Sequence, residues 1–402
     1  MSTDTDGQSS RRVFLKSSAV GLGVGLAGCS GQDGEADDTD QSTDSNGQSS
    51  GGTTTTTSQT ERPTLTLSYA PTGIYAIVAQ HFEETGLLEQ HMDEAGYDYE
   101  LQGTWDGPTL YASGDVDMMT GNAMEAVRIA DAQGIKSTTF GASIKYVIGI
   151  HLNADSPYTV EETGGPQETM QALAEENASF AFLGWGQGDV PFYIRLFNEW
   201  GIPFGPDEEV PYQMQNTEIA AIPQLLARGD VDLGSTGPHI PGYIDHIMPE
   251  INLRPVFTLA EMSSELYEAP LMLNGFTCRQ ESFEEHREGY VAIAQAYKEA
   301  FQWRRENAET IKEWDNIGDL IGQKTERHAS FYLDWMDGRD LTQIYGEKYA
   351  PWEQDPGYVT EPYLTDELIA AHEQFIDDSA ELGYMPTDWR DYVEMSQVEE
   401  IQ

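Results

Sequence analysis

PTLYASGDVD (residues 108–117) recurs later in the chain as PQLLARGDVD (residues 223–232), with seven of the ten positions identical. Both copies have the form P-x-L-x-A-x-G-D-V-D. Proline suits the first turn of a helix, and glycine supplies the left-handed residue that ends one. The Val-Asp pair then leads into a strand. The repeat therefore predicts a short helix followed by a strand twice, with the strands at 116–120 and 231–235.

A second unit also occurs twice, with less literal similarity. Residues 65–69 and 180–183 read as apolar strands, and each is followed by a glycine-bearing turn. The turns lead into apolar helical segments at 74–85 and 190–200. Strands that alternate with helices indicate α/β layers with mostly parallel sheets. We therefore expect two similar α/β lobes.

Open α/β sheets bind ligands outside the carboxyl ends of their strands, where helix N termini present free backbone N–H groups. Glycine allows a ligand to approach the backbone closely there. We expect the four strand-to-helix turns of the two lobes to converge on a small polar or anionic group, with aromatic side chains nearby. The residues selected as ligand-binding on this basis are Tyr69, Thr72, Gly73, Tyr75, Trp105, Thr120, Gly121, Asn122, Trp185, Gly186, Gln187, Thr236 and Gly237.

Basic side chains near the predicted crevice are few. Arg128, Lys145 and Arg195 are candidates to balance an anion, and the sequence leaves open whether any of them reaches it. The aspartates of the repeat could be taken for paired catalytic carboxylates. Their place between a helix and a strand favours capping of turns instead.

The composition limits the classes of function. The chain has 402 residues and a formal net charge of −48, from 69 acidic and 21 basic side chains. Nucleic-acid binding and attraction to anionic membranes both need clustered Lys and Arg, so this balance argues against them. At 39% hydrophobic and 10% aromatic residues the chain is too apolar to be wholly disordered. We interpret the acidity as adaptation to concentrated salt, which screens self-repulsion.

The N-terminus reads as an export signal and an anchor. Residues 10–16, SRRVFLK, resemble the twin-arginine export motif, and a short apolar run follows at 19–27. The run ends in LAGC, which looks like a lipobox that would place a lipid on Cys29. Residues 1–29 are thus a predicted signal peptide with its lipobox, and the Thr/Ser/Gly/Asp-rich residues 30–62 a disordered tether. This places the folded part outside the cytoplasmic membrane.

Motifs for catalysis or metal binding are missing from the sequence. No H-E-x-x-H pattern, Cys/His cluster, nucleophile elbow or phosphate-binding loop occurs. We therefore expect no cofactor, no metal and no catalysis. Cys278 has no partner once Cys29 carries a lipid, and it reads as a small buried apolar residue. Asn177 begins a glycosylation sequon by pattern only.

From about 63 to about 316, the order and spacing of these elements resemble the solute-binding proteins of the nitrate, sulfonate and taurine importer family, which also contains thiamine-precursor binders. The resemblance implies a two-lobed periplasmic-binding-protein fold of type II. Lobe 1 would comprise residues 63–150 and return in 261–402, with lobe 2 inserted at 151–260. The tail, residues 317–402, does not align and is expected to extend or cap lobe 1.

The resemblance also implies a role and partners. The chain would be a monomeric lipoprotein receptor that takes a small oxyanion, of the sulfonate, taurine or nitrate class, to an ABC permease and its ATPase. An alternative ligand is a pyrimidine or other aromatic thiamine precursor, suggested by Trp185 and the nearby tyrosines. A secreted enzyme on the same fold and an interaction module with an empty cleft are further alternatives.

Overall fold

The computed structural model describes residues 62–248, 250–352 and 355–398, and these form two β-sheets flanked by helices. The twin-arginine motif, the lipobox with Cys29 and almost all of the predicted tether lie outside the described residues. Within the described part of the chain, no helix is long and apolar enough to cross a membrane.

The lobe 1 sheet has six strands in the order β2-β1-β3-β10-β4-β11. All neighbours are parallel except β10, which runs antiparallel between β3 and β4. Its strands are β1 (Thr64–Tyr69), β2 (Asp98–Gly103), β3 (Met118–Gly121), β4 (Ser137–Lys145), β10 (Met272–Arg279) and β11 (Val393–Met395).

The lobe 2 sheet repeats this arrangement with five strands in the order β7-β6-β8-β5-β9. Here β5 is the antiparallel strand, between β8 and β9. Its strands are β5 (Gly149–Asn153), β6 (Ser179–Phe182), β7 (Gln213–Asn216), β8 (Leu233–Thr236) and β9 (Leu253–Thr258). The matching position of one antiparallel strand in each sheet confirms the two similar α/β lobes.

Helices cover both sheets, and the last four of them, α13 to α16, belong to the tail. The helices are α1 (Ile74–Thr85), α2 (Leu87–Ala95), α3 (Gly107–Ser113), α4 (Ala123–Gln133), α5 (Val160–Thr163), α6 (Pro166–Glu175), α7 (Val190–Glu199), α8 (Ile222–Arg228), α9 (Leu259–Tyr267), α10 (Gln280–Glu285), α11 (Arg287–Glu306), α12 (Ala308–Lys312), α13 (Ile317–Ile321), α14 (Glu326–Met336), α15 (Leu341–Tyr345) and α16 (Asp366–Glu381). Short 3-10 helices lie at Ile219–Ala221, Ile244–His246, Glu347–Trp352 and Trp389–Asp391.

The literal repeat forms α3 with β3 in lobe 1 and α8 with β8 in lobe 2. Gly114 and Gly229 end the two helices in the left-handed conformation, with φ of 86° and 70°. A side chain with a Cβ adopts that conformation rarely, so glycine is the residue expected at both positions.

The last aspartate of each repeat copy bonds the backbone of the neighbouring strand, β1 in lobe 1 and β6 in lobe 2. Asp117 accepts a hydrogen bond from the backbone N–H of Thr66 at 2.8 Å, and Asp232 accepts one from the N–H of Ser179 at 2.7 Å. These two carboxylates thus serve the backbone of the sheet, as a structural role predicts.

The two lobes are joined by two crossings. The first, residues 146–148, links β4 to β5, and the second is α9 with the residues that follow it up to β10. The helix expected at 74–85 forms with those bounds, and the strand expected at 180–183 forms one residue earlier. Cys278, on β10, is buried and without a disulfide.

The tail packs on both lobes, and not on lobe 1 alone as the sequence suggested. Strand β11 extends the lobe 1 sheet beside β4, whereas α16 packs against α7 of lobe 2. Trp335 stacks on Tyr243 of lobe 2 with ring centroids 5.6 Å apart. Arg254 of β9 lies 5.3 Å above the ring of Trp352. Tail aromatic residues thus complete the hydrophobic cores of both lobes.

Candidate functional site

A cavity of about 750 Å³ lies between the two lobes. Lobe 1 lines it with α3, α4 and β10, lobe 2 with the turn after β6 and the end of β8, and the first crossing with Tyr146 and Ile148. The polar and charged side chains among its lining residues are Thr109, Ser113, Asn122, Glu125, Arg128, Gln133, Tyr146, Gln187, Asp189, Ser235 and Asn274.

Asn122 fixes the lobe 1 side of the cavity. Its side-chain oxygen accepts a hydrogen bond from the N–H of Glu125 at 3.0 Å and so caps α4. Its amide nitrogen donates to the carbonyl of Leu273 on β10 at 2.7 Å. Because both ends of the amide are used by the protein, Asn122 positions α4 against the central strand and has limited capacity left for a ligand.

The turn between β6 and α7 forms the opposite wall. Gly184 has a φ of 126°, which side chains with a Cβ rarely adopt. At Gly188 an added Cβ would lie 3.1 Å from the guanidinium of Arg128, which belongs to the other lobe. The missing side chain at this position therefore makes room for Arg128 to reach across the cleft.

Three charged side chains line the cavity, namely Glu125, Arg128 and Asp189. Burial raises the pKa of the Glu125 carboxyl to about 7, and the positive charge of Arg128 opposes the rise. Burial also raises the pKa of Asp189, which its own backbone N–H, Arg128 and Ser235 oppose. The site therefore contains one cation and two carboxyl groups that release their protons reluctantly.

Hydrogen bonds from lobe 2 hold Asp189 in place. Tyr193 and Ser235 share a hydrogen bond of 2.8 Å, and the hydroxyl of Ser235 donates to Asp189 at 3.5 Å. Tyr193 lies one turn along α7 from Asp189, while Ser235 lies on β8. The carboxyl group at the N-terminus of α7 is thus tied to the neighbouring strand.

Of the thirteen residues selected from sequence, Asn122 and Gln187 line this cavity. The structure places the other eleven elsewhere, and the tail accounts for two of them. The N–H of Gly73 and the hydroxyl of Thr72 donate to the carbonyl of Leu320, at 2.9 and 3.1 Å. Tyr75 is buried and hydrogen-bonds Ser143. At α1 the tail therefore occupies the N–H of Gly73, and this helix N-terminus does not line the cavity.

The selected residues at the strand ends have structural contacts. Thr120 accepts a hydrogen bond from the N–H of Ala70 at 3.1 Å, and Gly121 pairs with β10. Thr236 is fully buried in the lobe 2 sheet. At Gly237 an added Cβ would meet the carbonyl of Val147 at 2.9 Å, so this glycine allows the first crossing to pass closely.

The selected aromatic residues also lie away from the cavity. Trp185 packs on Phe182 and Phe204, with ring centroids 5.1 and 5.0 Å apart, and Gly186 beside it is exposed. Tyr69 is buried in lobe 1, whereas Trp105 is 70% exposed. Apolar packing competes with ligand contact for aromatic side chains, and here it wins for Trp185 and Tyr69.

The structure answers the open question about the three basic candidates. Arg128 lines the cavity and Lys145 does not. Arg195 lies outside it, 3.7 Å from Glu199 and 3.5 Å from Asp378 of the tail.

Sequence reasoning missed Glu125, Tyr146, Asp189, Ser235 and Asn274. A signal existed for Glu125, which follows Asn122 by one helical turn, and for Asp189, which directly precedes an apolar helix. Among the residues that the structure describes, no group of three or more His, Cys, Asp or Glu side chains is placed to hold a metal ion.

The cavity lies between two α/β lobes, and each lobe has one antiparallel strand in a mostly parallel sheet. This is the architecture of two-lobed α/β folds with a ligand-sized cleft between the lobes. No protein-family model matches the sequence, and no curated protein gives a significant sequence match.

Solved structures identify the fold more closely. The periplasmic aliphatic sulphonate binding protein SsuA from Escherichia coli is 16% identical, with a TM-score of 0.59 over 83% of this chain and 97% of that one. The alkanesulfonate-binding protein SsuA from Xanthomonas axonopodis pv. citri is 14% identical, with a TM-score of 0.53 over 84% of this chain and 99% of that one. The periplasmic nitrate-binding protein NrtA from Synechocystis PCC 6803 is 14% identical, with a TM-score of 0.53 over 82% of this chain and 85% of that one. The chain therefore has the periplasmic-binding-protein fold, and the resemblance inferred from sequence is confirmed at the level of the fold.

Proposed function

We propose that this chain is the extracytoplasmic receptor of an ABC importer and binds a small solute with a sulfonate-type acidic group. The observation that carries the proposal is the position of Arg128 in the cavity between the lobes. It is the only Lys or Arg among the described lining residues, and it has no ion-pair partner in the described part of the chain. A guanidinium left free in this way suits an oxyanion, because its planar N–H groups bind two oxygens at once.

Other features support the same role. The similar structures are named as binding proteins and not as enzymes. We propose that this protein likewise binds its ligand without chemical turnover. The charge of −48 fits work in concentrated salt.

The second ligand class, an aromatic thiamine precursor, receives no support from the geometry. That class requires aromatic side chains against the ligand, and none of the four selected aromatic residues lines the cavity. Tyr146, at the first crossing, is the aromatic side chain that does.

Titration calorimetry in molar KCl tests the proposal. We expect binding of at least one of ethanesulfonate, 2-aminoethanesulfonate and nitrate, and no binding of an aminopyrimidine. Small-angle scattering of the same samples should show a smaller radius of gyration with bound ligand, because lobes of this fold close by hinge bending. Binding of the pyrimidine alone would replace the oxyanion class by the alternative. An absence of binding to ethanesulfonate, 2-aminoethanesulfonate and nitrate alike would reject the ligand class.

The anchor can be tested separately. We propose that the membrane-associated protein carries a lipid on Cys29 and lacks residues 1–28, as the lipobox predicts. The intact mass of protein extracted from membranes should then exceed that of chain 29–402 by a diacylglyceryl group. A Cys29→Ser variant should be released from membranes, with Cys278→Ser as the control that stays attached. An unmodified Cys29 in the membrane fraction would contradict the anchor.

A further inference from the structure

Trp105 is the most exposed large apolar side chain in the described part of the chain, at 70%. Single exposed apolar residues are common on protein surfaces, so its position decides whether it matters. The turn that carries it, between β2 and α3, is held by hydrogen bonds on both sides. The N–H of Thr104 donates to the carbonyl of Tyr69 on β1 at 2.9 Å, and the N–H of Asp106 donates to the hydroxyl of Thr104 at 3.0 Å. An ordered turn therefore presents the indole ring to solvent.

The turn lies at the mouth of the cleft. The two crossings join β4 and β10 of lobe 1 to β5 and β9 of lobe 2, whereas β2 and β7 are the edge strands on the far side of each sheet. Because the crevice of such folds lies outside the carboxyl ends of the strands, the turns after β2 and β7 border it at the side away from the crossings. We call residues 104–106 the lobe 1 lip and residues 217–221 the lobe 2 lip. Hinge bending moves these lips farther than any point near the crossings.

The repeat relates the two lips. Trp105 lies three residues before Pro108, and Ala220 lies three residues before Pro223. Ile219, next to Ala220, lines the cavity together with Pro108, so the two lips border the same space from opposite lobes. Ile219 is half-buried and Ala220 is exposed. The lobe 2 lip therefore offers apolar surface at the position equivalent to the exposed tryptophan.

We propose that Trp105 is a latch, meaning a contact that forms only when the lobes close: its indole ring then packs on Ile219 and Ala220 of the lobe 2 lip. This inference rests on the proposed receptor function and adds to it a residue that stabilises the closed state. Removal of the indole ring from water favours closure without any contact to the solute. The latch therefore helps to retain any solute that the cleft accepts, and it does not select among them.

Variants of Trp105 test the latch. Trp105→Ala should weaken binding at least tenfold, which corresponds to about 1.4 kcal/mol, because the closed state loses the contact. Calorimetry in molar KCl measures this with ethanesulfonate or 2-aminoethanesulfonate, whichever the native chain binds more tightly. Trp105→Phe keeps an aromatic ring and should retain most of the affinity. In the native chain, saturating ligand should also shift tryptophan emission to shorter wavelength, and Trp105→Phe should lose this shift.

Variants of the lobe 2 lip identify the surface that the indole ring meets. Ile219→Ala should weaken binding at least threefold, and it should add little in a chain that already has Trp105→Ala, because the contact is then absent. Ala220 is exposed, so Ala220→Asp should fold normally and weaken binding by placing a carboxylate against the indole ring. Ile344→Ala is the matched control, because Ile344 is 46% exposed on α15 and does not line the cavity. Thermal unfolding of each variant shows whether it is folded.

The possible outcomes separate the latch from the receptor. Native affinity in a folded Trp105→Ala protein would overturn the latch and leave the receptor standing. If that variant binds normally but no longer supports import in cells, the latch is likewise rejected and the residue is assigned to a permease contact. Losses that add in the Trp105→Ala, Ile219→Ala double variant would contradict the pairing with the lobe 2 lip. If the native chain binds none of ethanesulfonate, 2-aminoethanesulfonate and nitrate, the receptor proposal fails and the latch fails with it.

Discussion

Replacement of Arg304 by alanine is expected to lower the free energy of unfolding by about 3–5 kcal/mol, the usual cost of breaking a buried ion pair from one side. Arg304 lies near the end of α11 and is 2% exposed. Its guanidinium is 2.6 Å from a carboxylate oxygen of Asp337, at the end of α14, and 4.7 Å from the ring centre of Tyr358. The substitution removes the cation and leaves a buried carboxylate without a partner, in the place where the tail meets lobe 1.

Urea unfolding followed by tryptophan fluorescence in molar KCl measures this change. Arg390→Ala is the matched control, because Arg390 pairs with Asp377 at the surface, where the two side chains are 50% and 38% exposed. That change should cost no more than about 1 kcal/mol. Arg304→Met combined with Asp337→Leu removes both charges and should recover most of the loss. If Arg304→Ala costs no more than the control, the tail does not depend on this pair.

The fold followed from local sequence patterns. The repeat at 108–117 and 223–232 fixed two helix-strand units, because the terminating glycine and the capping aspartate act within a few residues or on the adjacent strand. Similar short-range chemistry gave the bounds of α1 and α7 to within one residue. Such features are set by neighbours in the chain, so they are legible in the sequence.

The site was less legible because long-range packing decides it. The N-terminus of α1 is a plausible anion site until Leu320, 248 residues after Thr72, brings its carbonyl against it. Trp185 was selected as a ligand contact, but it does not line the cavity because its ring packs on the apolar rings of Phe182 and Phe204. Selecting Glu125 and Asp189 needed knowledge of which faces of α4 and α7 meet across the cleft. Neither periodicity nor spacing contains that information.

Arg128→Glu is expected to weaken the binding of any sulfonate by more than about 100-fold, which corresponds to about 3 kcal/mol. A hydrogen bond to a charged group contributes about 1.5–3 kcal/mol, and the new carboxylate adds repulsion between like charges. The variant cavity would contain three carboxyl groups and no cation among its described lining residues.

Arg305→Glu provides the control for the change in net charge, because Arg305 is exposed at the end of α11 and does not line the cavity. Calorimetry with ethanesulfonate and 2-aminoethanesulfonate should show near-normal affinity for this control and none measurable for Arg128→Glu. Arg128 is itself exposed, so its replacement should leave the melting temperature almost unchanged. Retained affinity in a folded Arg128→Glu protein would show that the acidic group of the ligand binds elsewhere. Loss of affinity together with unfolding would be resolved by Arg128→Gln, which removes the charge and adds no repulsion. A sulfonate bound by Arg128 must lie beside Gly188 of the opposite lobe. Arg128→Glu should therefore also abolish the ligand-induced decrease in the radius of gyration.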